Sequence, residues 1–300
     1  MRDDGHNGFR FDLREANGAL GDIGTLLPLT IATIAIVGLS AQAVLLGFGL
    51  FYIATGLIYR LPVPVQPMKA IAAVALVSTV PPGAIALSGV LIGLVLLFLG
   101  ATGLIDRIAR LVPQSVLSGL QLGLGLALAW IALGLIQDQW IIGGLTLAVA
   151  SIALRVGAHA ALLAIGAGIA SGFVIGHPGW PELAQATGGN WFPLRIEMDD
   201  VRSSIADLAL PQLALTLTNA VFLTAFVAQD SFGQSADCVT PRRLCLTSGA
   251  SNLLCAPFGA LPMCHGAGGL VAHHRFGART GAAPLLIGAV ILVLACLPAG

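Results

Sequence analysis

A chain of 300 residues with 57% hydrophobic and only 9% charged residues, and a mean hydropathy of +0.92, cannot cover itself with a solvated surface, which excludes a soluble domain. Its 14 basic and 14 acidic residues cancel, and no basic arm or aromatic-interleaved patch is present, which excludes a nucleic-acid partner. The five cysteines (Cys238, Cys245, Cys255, Cys264, Cys296) form no CxxC pair and read as small helix residues, so neither a metal nor a cofactor is expected.

The first 16 residues are polar and mixed in charge, without the apolar core or cleavage site of a signal peptide, and read as a cytoplasmic tail. Beyond them, apolar stretches of roughly 17–25 residues predict eleven membrane spans. These lie near 17–37, 41–60, 62–81, 83–103, 113–136, 140–157, 158–176, 207–229, 243–257, 258–278 and 281–298, an all-α polytopic membrane protein. The first span contains GALGDIGTLLPLTIA (18–32), in which Asp22 would cost about 2.5–3.5 kcal/mol at the centre of a lipid-facing helix. Asp22 is therefore expected to face protein, water or a partner such as Lys69, or to act as a proton-coupling acid or orient a site through Thr25. A helix N-cap near the inner headgroups is the competing assignment.

The third span opens with PVPVQPMKAIAA (62–73), which carries the only lysine of the chain, Lys69. Pro62, Pro64 and Pro67 hold the backbone extended, and the helix formers from Met68 onward predict a half-helix starting near Lys69. Free N–H groups, the positive end of the helix dipole and a fixed cation together describe a site for an anion. Further on, Gly119 and Gly123 in span five and Gly168, Gly172 and Gly176 in span seven have the four-residue spacing of tight helix packing. A long loop, 177–206, follows, with Trp180, Trp191 and Phe192 expected at the membrane interface. With the N-terminus inside, eleven loop and tail arginines fall on the inner side, and only Arg195 and Arg202 on the outer side.

The second half echoes the first. VQPMKAIAAVA (65–75) and ALPMCHGAGGLVA (260–272) each carry a proline, a methionine, a polar or cationic residue and a run of small residues, 195 positions apart. Seven spans precede the loop, so the copies enter the membrane in opposite senses, as in inverted-repeat transporters. In the second copy Pro257 and Pro262 break the backbone, and Cys264, His265, Gly266, Ala267, Gly268 and Gly269 are expected to form the first turn of a helix whose bare amides can approach an oxyanion. Glycines placed there for helix packing alone are the competing explanation. His273, His274, Arg275 and Arg279 sit at the far end of the same span and read as a topology anchor.

GALGDIGTLLPLTIA, PVPVQPMKAIAAVA and PFGALPMCHGAGGLVAHHRFGARTG (257–281) resemble the molybdate transporter family, which is related to the sulfate permeases. The resemblance implies a fold of seven plus seven inverted helices, with residues 17–103 and 207–300 forming a substrate-carrying core and residues 104–176 half of a gate. It implies that a tetrahedral oxyanion, molybdate before sulfate, lies between the half-helices of spans three and ten and moves by an elevator-like motion of the core. The matching positions are Gln66, Pro67, Met68 and Lys69 in the first broken helix, Pro262, Cys264, His265, Gly266, Ala267 and Gly268 in the second, and Asp22 and Thr25 in the first span. Lys69 and the helix N-termini are expected to hold the anion, His265 to donate a hydrogen bond, and Asp22 or His265 to couple protons. No enzymatic activity and no cofactor are implied; the location is the cell's inner (plasma) membrane.

The family pattern expects about three helices after span eleven, where this sequence stops at ILVLACLPAG, so the second gate half is expected to be absent and a homodimer or a gate-completing chain is an expected partner. Sulfate or another oxyanion as the transported species, and anion binding without transport, stay open as alternatives. A nucleobase permease would favour a carboxylate near the half-helices, whereas the eighth span offers Asn219. An intramembrane enzyme would need a hydrolase or metalloprotease motif, and none is present.

Overall fold

The computed structural model describes residues 8–157, 159–175 and 198–296, most of them helical. The first span runs continuously through α1 (Leu13–Ala19), one 3-10 turn (Leu20–Asp22) and α2 (Ile23–Val37). It begins earlier than the hydropathy predicts because Asp12 caps it, its carboxylate accepting from the backbone N–H groups of Arg14 and Glu15, both at 2.9 Å. Next come α3 (Ala41–Tyr59), a two-residue strand β1 (Gln66–Pro67), the half-helix α4 (Lys69–Val77) and α5 (Pro82–Thr102). A short charged helix α6 (Leu104–Leu111), not foreseen from hydropathy, leads into α7 (Gln114–Asp138), α8 (Trp140–Arg155) and α9 (Ala160–Ile175).

The eighth span is longer than expected. It passes without a break through α10 (Met198–Ser203), a π-helical stretch (Ser204–Ala209), α11 (Leu210–Leu215), a second π stretch (Thr216–Leu223) and α12 (Thr224–Phe232). The last part of the predicted loop, 198–206, is therefore helix, and Arg202 is a helical residue. A tertiary contact accompanies the extra turns: Ser204 is fully buried and its hydroxyl donates to the carbonyl of Ala84 at 2.9 Å, fastening this end of the span to α5. Trp180, Trp191, Phe192 and Arg195 lie outside the described residues. The chain continues with α13 (Pro241–Cys255), β2 (Met263–Cys264), the second half-helix α14 (Ala267–Arg275) and α15 (Ala282–Cys296).

Among the described residues, four helices are long and apolar enough to cross a membrane: Leu13–Val37, Ala41–Tyr59, Pro82–Thr102 and Val201–Ala236. The halves interlock, with α3 packed along α15 and α5 along α13, so each close pair joins the first half to the second. Glycine permits both approaches. A Cβ at Gly49 would stand 2.7 Å from Leu292, and Cβ atoms at Gly93 and Gly249 would each meet the other's carbonyl oxygen, at 3.1 and 2.9 Å. The glycines singled out by spacing behave differently. Among the described residues, Gly119, Gly123 and Gly172 have nothing within 4 Å of a Cβ position and Gly168 has only an ordinary contact with Thr146, so no close packing at them is seen there; Gly176 is outside the described residues. Their helices present lipid-type surface instead, as the exposed stripe of Leu122, Leu126, Trp130 and Leu133 on α7 illustrates.

At the centre, β1 and β2 pair antiparallel, Gln66 opposite Cys264 and Pro67 opposite Met263. The backbone N–H of Met68 adds a bond to the carbonyl of Pro262 at 2.9 Å. Asn252 on α13 then replaces a third strand: its side-chain amide donates to the Met263 carbonyl (2.6 Å) while its carbonyl oxygen accepts from the Met263 N–H (2.9 Å). Held in this way, Cys264 lies in the strand and His265 outside the helix, and the second half-helix starts at Ala267 with Gly266 as its N-cap. The expectation of a helical turn across residues 264–269 is thus corrected for its first three positions.

Candidate functional site

A narrow cavity opens where the half-helix α4 meets the eighth span, lined by Gln66, Lys69, Gln212, Leu215, Asn219, Ala220 and Cys264. Three of these, Gln66, Lys69 and Cys264, are residues that the broken-helix motifs predict. Lys69 is the first residue of α4, so its ammonium and the helix N-terminus address the same space. Among the described residues no carboxylate lines the cavity, whose polar wall is one ammonium, three carboxamides and a thiol. Such a surface offers donors to an anion.

Gln212 is the residue that sequence reasoning missed. It is 1% exposed, its carbonyl oxygen accepts from the Ala70 N–H at 2.8 Å, and its amide donates to Thr216 at 2.9 Å. It therefore caps α4 from another span, occupying a donor that an oxyanion oxygen would use. A signal was present in LPQLALTLTNAVFL, where Gln212, Thr216 and Asn219 recur at helical spacing in an otherwise apolar stretch. Asn219 sits on the same cavity, and its side-chain carbonyl oxygen has no hydrogen-bond partner among the described residues. The second π stretch includes both Thr216 and Asn219, and extra residues of this kind inside an α-helix recur at functional sites.

Asp22 lies behind Gln66, enclosed by protein. It is 3% exposed; one carboxylate oxygen accepts from the Thr25 hydroxyl and from the Gln66 amide (2.6 Å), and the other has no partner. The Gln66 amide also reaches Thr25 at 3.3 Å. The headgroup N-cap assignment for Asp22 is therefore set aside, since its side chain caps nothing and it is enclosed by protein. Gly269 makes this possible, because a Cβ there would stand 2.8 Å from the Gln66 amide and nearly touch the Asp22 carboxylate. The two half-helices thus differ. The N-terminal turn of α14 packs against Asp22 and Gln66, whereas that of α4 opens on the cavity beside Lys69, whose charge acts on Asp22 across Gln66.

The remaining predicted residues form the frame. Pro67 and Met68 are buried in the strand crossing, Gly266 lies against the Gln66 side chain, and Ala267 opens α14 in the core. His265 does not line the cavity. Its Nδ1 donates to the carbonyl of Pro64 (3.1 Å), which leaves Nε2 as an acceptor for the Thr247 hydroxyl (2.8 Å), and Thr247 in turn accepts from Tyr59 (2.7 Å). Enclosed between the rings of Phe51 and Tyr59, with centroids at 5.1 and 5.6 Å, it ties α3, β1 and α13 together. His273 shares only half of this arrangement: its Nδ1 donates to Pro62 at 2.8 Å while its Nε2 has no partner among the described residues, and it is buried rather than a surface anchor.

Comparison with known proteins agrees with this architecture. A family described as "Molybdate transporter of MFS superfamily" matches residues 14–128 and 204–299. The chain is 31% identical to molybdate transporter 2 of Arabidopsis thaliana, covering 91% of this chain and 69% of that protein. It is 30% identical to molybdate transporter 1 of the same plant (95% and 73% covered) and 27% identical to molybdate transporter 1 of Chlamydomonas reinhardtii (95% and 78%). Among solved structures, the transmembrane domain of a cyanobacterium bicarbonate transporter, BicA, superposes with a TM-score of 0.60 at 17% identity, over 96% of this chain and 83% of that one. That likeness shows the fold, an inverted-repeat arrangement of helices. By the match over both halves and the identity to full-length relatives, the chain belongs to the molybdate transporter family.

Proposed function

We propose that this protein is a secondary transporter of a tetrahedral oxyanion, molybdate in the first place, which binds against the N-terminus of α4 with Lys69 as its counter-charge. The observation that carries this reading is the cavity at the start of that half-helix, walled by Lys69, Gln66, Gln212 and Asn219 and, among the described residues, by no carboxylate. A dianion there would replace the Gln212 oxygen on the Ala70 N–H, and the displaced carboxamide would turn its own N–H groups toward the anion. Asp22 balances Lys69 from the second layer, and it is the group proposed to couple substrate to protons; His265, with both ring nitrogens engaged, serves as frame. The relatives are named as molybdate transporters, which supports the choice among oxyanions. Residues 17–103 and 207–296 would move as the core against residues 104–175, with the N-terminus on the cytoplasmic side.

Calorimetry with molybdate and sulfate on the purified chain, followed by uptake into sealed proteoliposomes, tests this. Molybdate binding that Lys69→Ala removes, together with flux, is expected. A folded, monodisperse protein that binds neither anion refutes the site, and binding without flux refutes transport by this chain.

A further inference from the structure

A second cavity, about 390 Å³ in volume, lies at the end of the bundle where the chain enters α1, and the molybdate reading makes no use of it. Three stretches far apart in sequence wall it: the start of α1, the α8–α9 connection, and the turn after α14. Arg10, Arg14, Arg275 and Arg279 face it, with His159 on the α8–α9 side. Its two acids are already committed. Asp12 caps α1, and one oxygen of Glu15 accepts from the N–H groups of Arg279 and Thr280, both at 2.9 Å. Asn17 is also spent, donating to Phe276 and accepting from Leu162 at 3.0 Å.

Two kinds of group are left over. The guanidinium groups of Arg10, Arg14 and Arg275 have no protein hydrogen-bond acceptor among the described residues, and Arg14 and Arg279 are close enough to repel each other. The second oxygen of Glu15, a residue 2% exposed, is a buried acceptor without a donor. A positive-inside bias accounts for arginines at this end, but not for their convergence on a cavity also lined by Glu15, one of whose oxygens is a buried acceptor without a donor. One ligand chemistry satisfies both: a phosphoryl group for the arginine forks, carrying a hydroxyl for Glu15.

We propose that this cavity binds a hydroxyl-bearing phosphate ester of the glycerol phosphate type, as a phospholipid headgroup or as a soluble metabolite. Because its walls come from both sides of the seam between α8–α9 and the rest of the bundle, occupancy would hold those two parts together and slow any movement between them.

The probes are sn-glycerol 3-phosphate, followed by calorimetry, and phosphatidylglycerol against phosphatidylcholine, followed by native mass spectrometry of the full chain. Preference for one probe identifies the source. Either probe should bind wild type and Lys69→Ala alike, and the Arg14→Gln/Arg275→Gln double variant about tenfold or more weaker. Thermal unfolding of that variant checks that these two exposed changes leave the fold intact, and Arg14→Lys/Arg275→Lys, which keeps charge without the fork, should fall between. Glu15→Gln should weaken glycerol 3-phosphate while leaving inorganic phosphate unchanged. The proposal is overturned if neither probe binds, if the double variant binds as wild type does, or if Lys69→Ala abolishes binding, since the ligand would then be occupying the oxyanion cavity. Equal loss of glycerol 3-phosphate and inorganic phosphate in Glu15→Gln would refute the hydroxyl contact.

Discussion

Replacing Lys69 by Gln removes a charge while keeping a donor of similar reach, and the structure sets two separate consequences. The ammonium lines the cavity, so its loss removes one charge-assisted contact to the anion. Such a contact is worth about 1.5–3 kcal/mol, which corresponds to roughly 10- to 150-fold in Kd. The same change takes the positive neighbour away from Asp22, which is 3% exposed and has one oxygen unpartnered, so the folded state loses stability as well. Adding Asp22→Asn removes the buried charge, while Thr25 and Gln66 can still pair with the carboxamide. The double variant should therefore recover thermal stability and still fail to bind, a coupling that a cycle of single and double variants reads directly. Calorimetry with molybdate at fixed ionic strength and thermal unfolding in the same detergent supply both numbers. A Lys69→Gln protein that binds molybdate within about threefold of wild type, a difference well under 1 kcal/mol, would refute the assignment.

Gln212→Ala strips the cap from α4 and should cost about 0.5–2 kcal/mol of stability, with molybdate affinity falling as well; unchanged unfolding and binding would show that the bond to Ala70 carries nothing. Gly269→Ala drives a Cβ into Gln66 and Asp22 and should cost about 1–3 kcal/mol or prevent folding, whereas Gly172→Ala, with nothing within 4 Å, should leave the unfolding temperature nearly unchanged. His265→Gln breaks the bridge between Pro64 and Thr247 and should lower stability while the folded protein keeps its molybdate Kd within about threefold; a selective loss of binding would instead make His265 a substrate contact.

The sequence by itself determined the membrane class, the two proline-broken segments and the start of α4 at Lys69. Composition, the fixed φ of proline and its missing N–H act within a few residues and need no tertiary partner. It also indicated that Asp22 cannot face lipid, since a lone carboxylate there is too costly, but left a headgroup N-cap and an enclosed site both open. Tertiary structure decided what each polar residue faces. Cys264 is extended because it pairs with Gln66 of β1, a contact between residues about 200 positions apart, while the Asn252 side chain holds the backbone of the neighbouring Met263; together these override the local preference of small residues for a helical turn. The two half-helices look equivalent in sequence and are not equivalent in space, because Gly269 admits the Asp22 carboxylate at one while Gln212, from a span whose polar residues carry no broken-helix motif, covers the other. Glycine spacing was misleading for a related reason: close approach depends on which helix is opposite, and only the pairing of α3 with α15 and of α5 with α13 determines that.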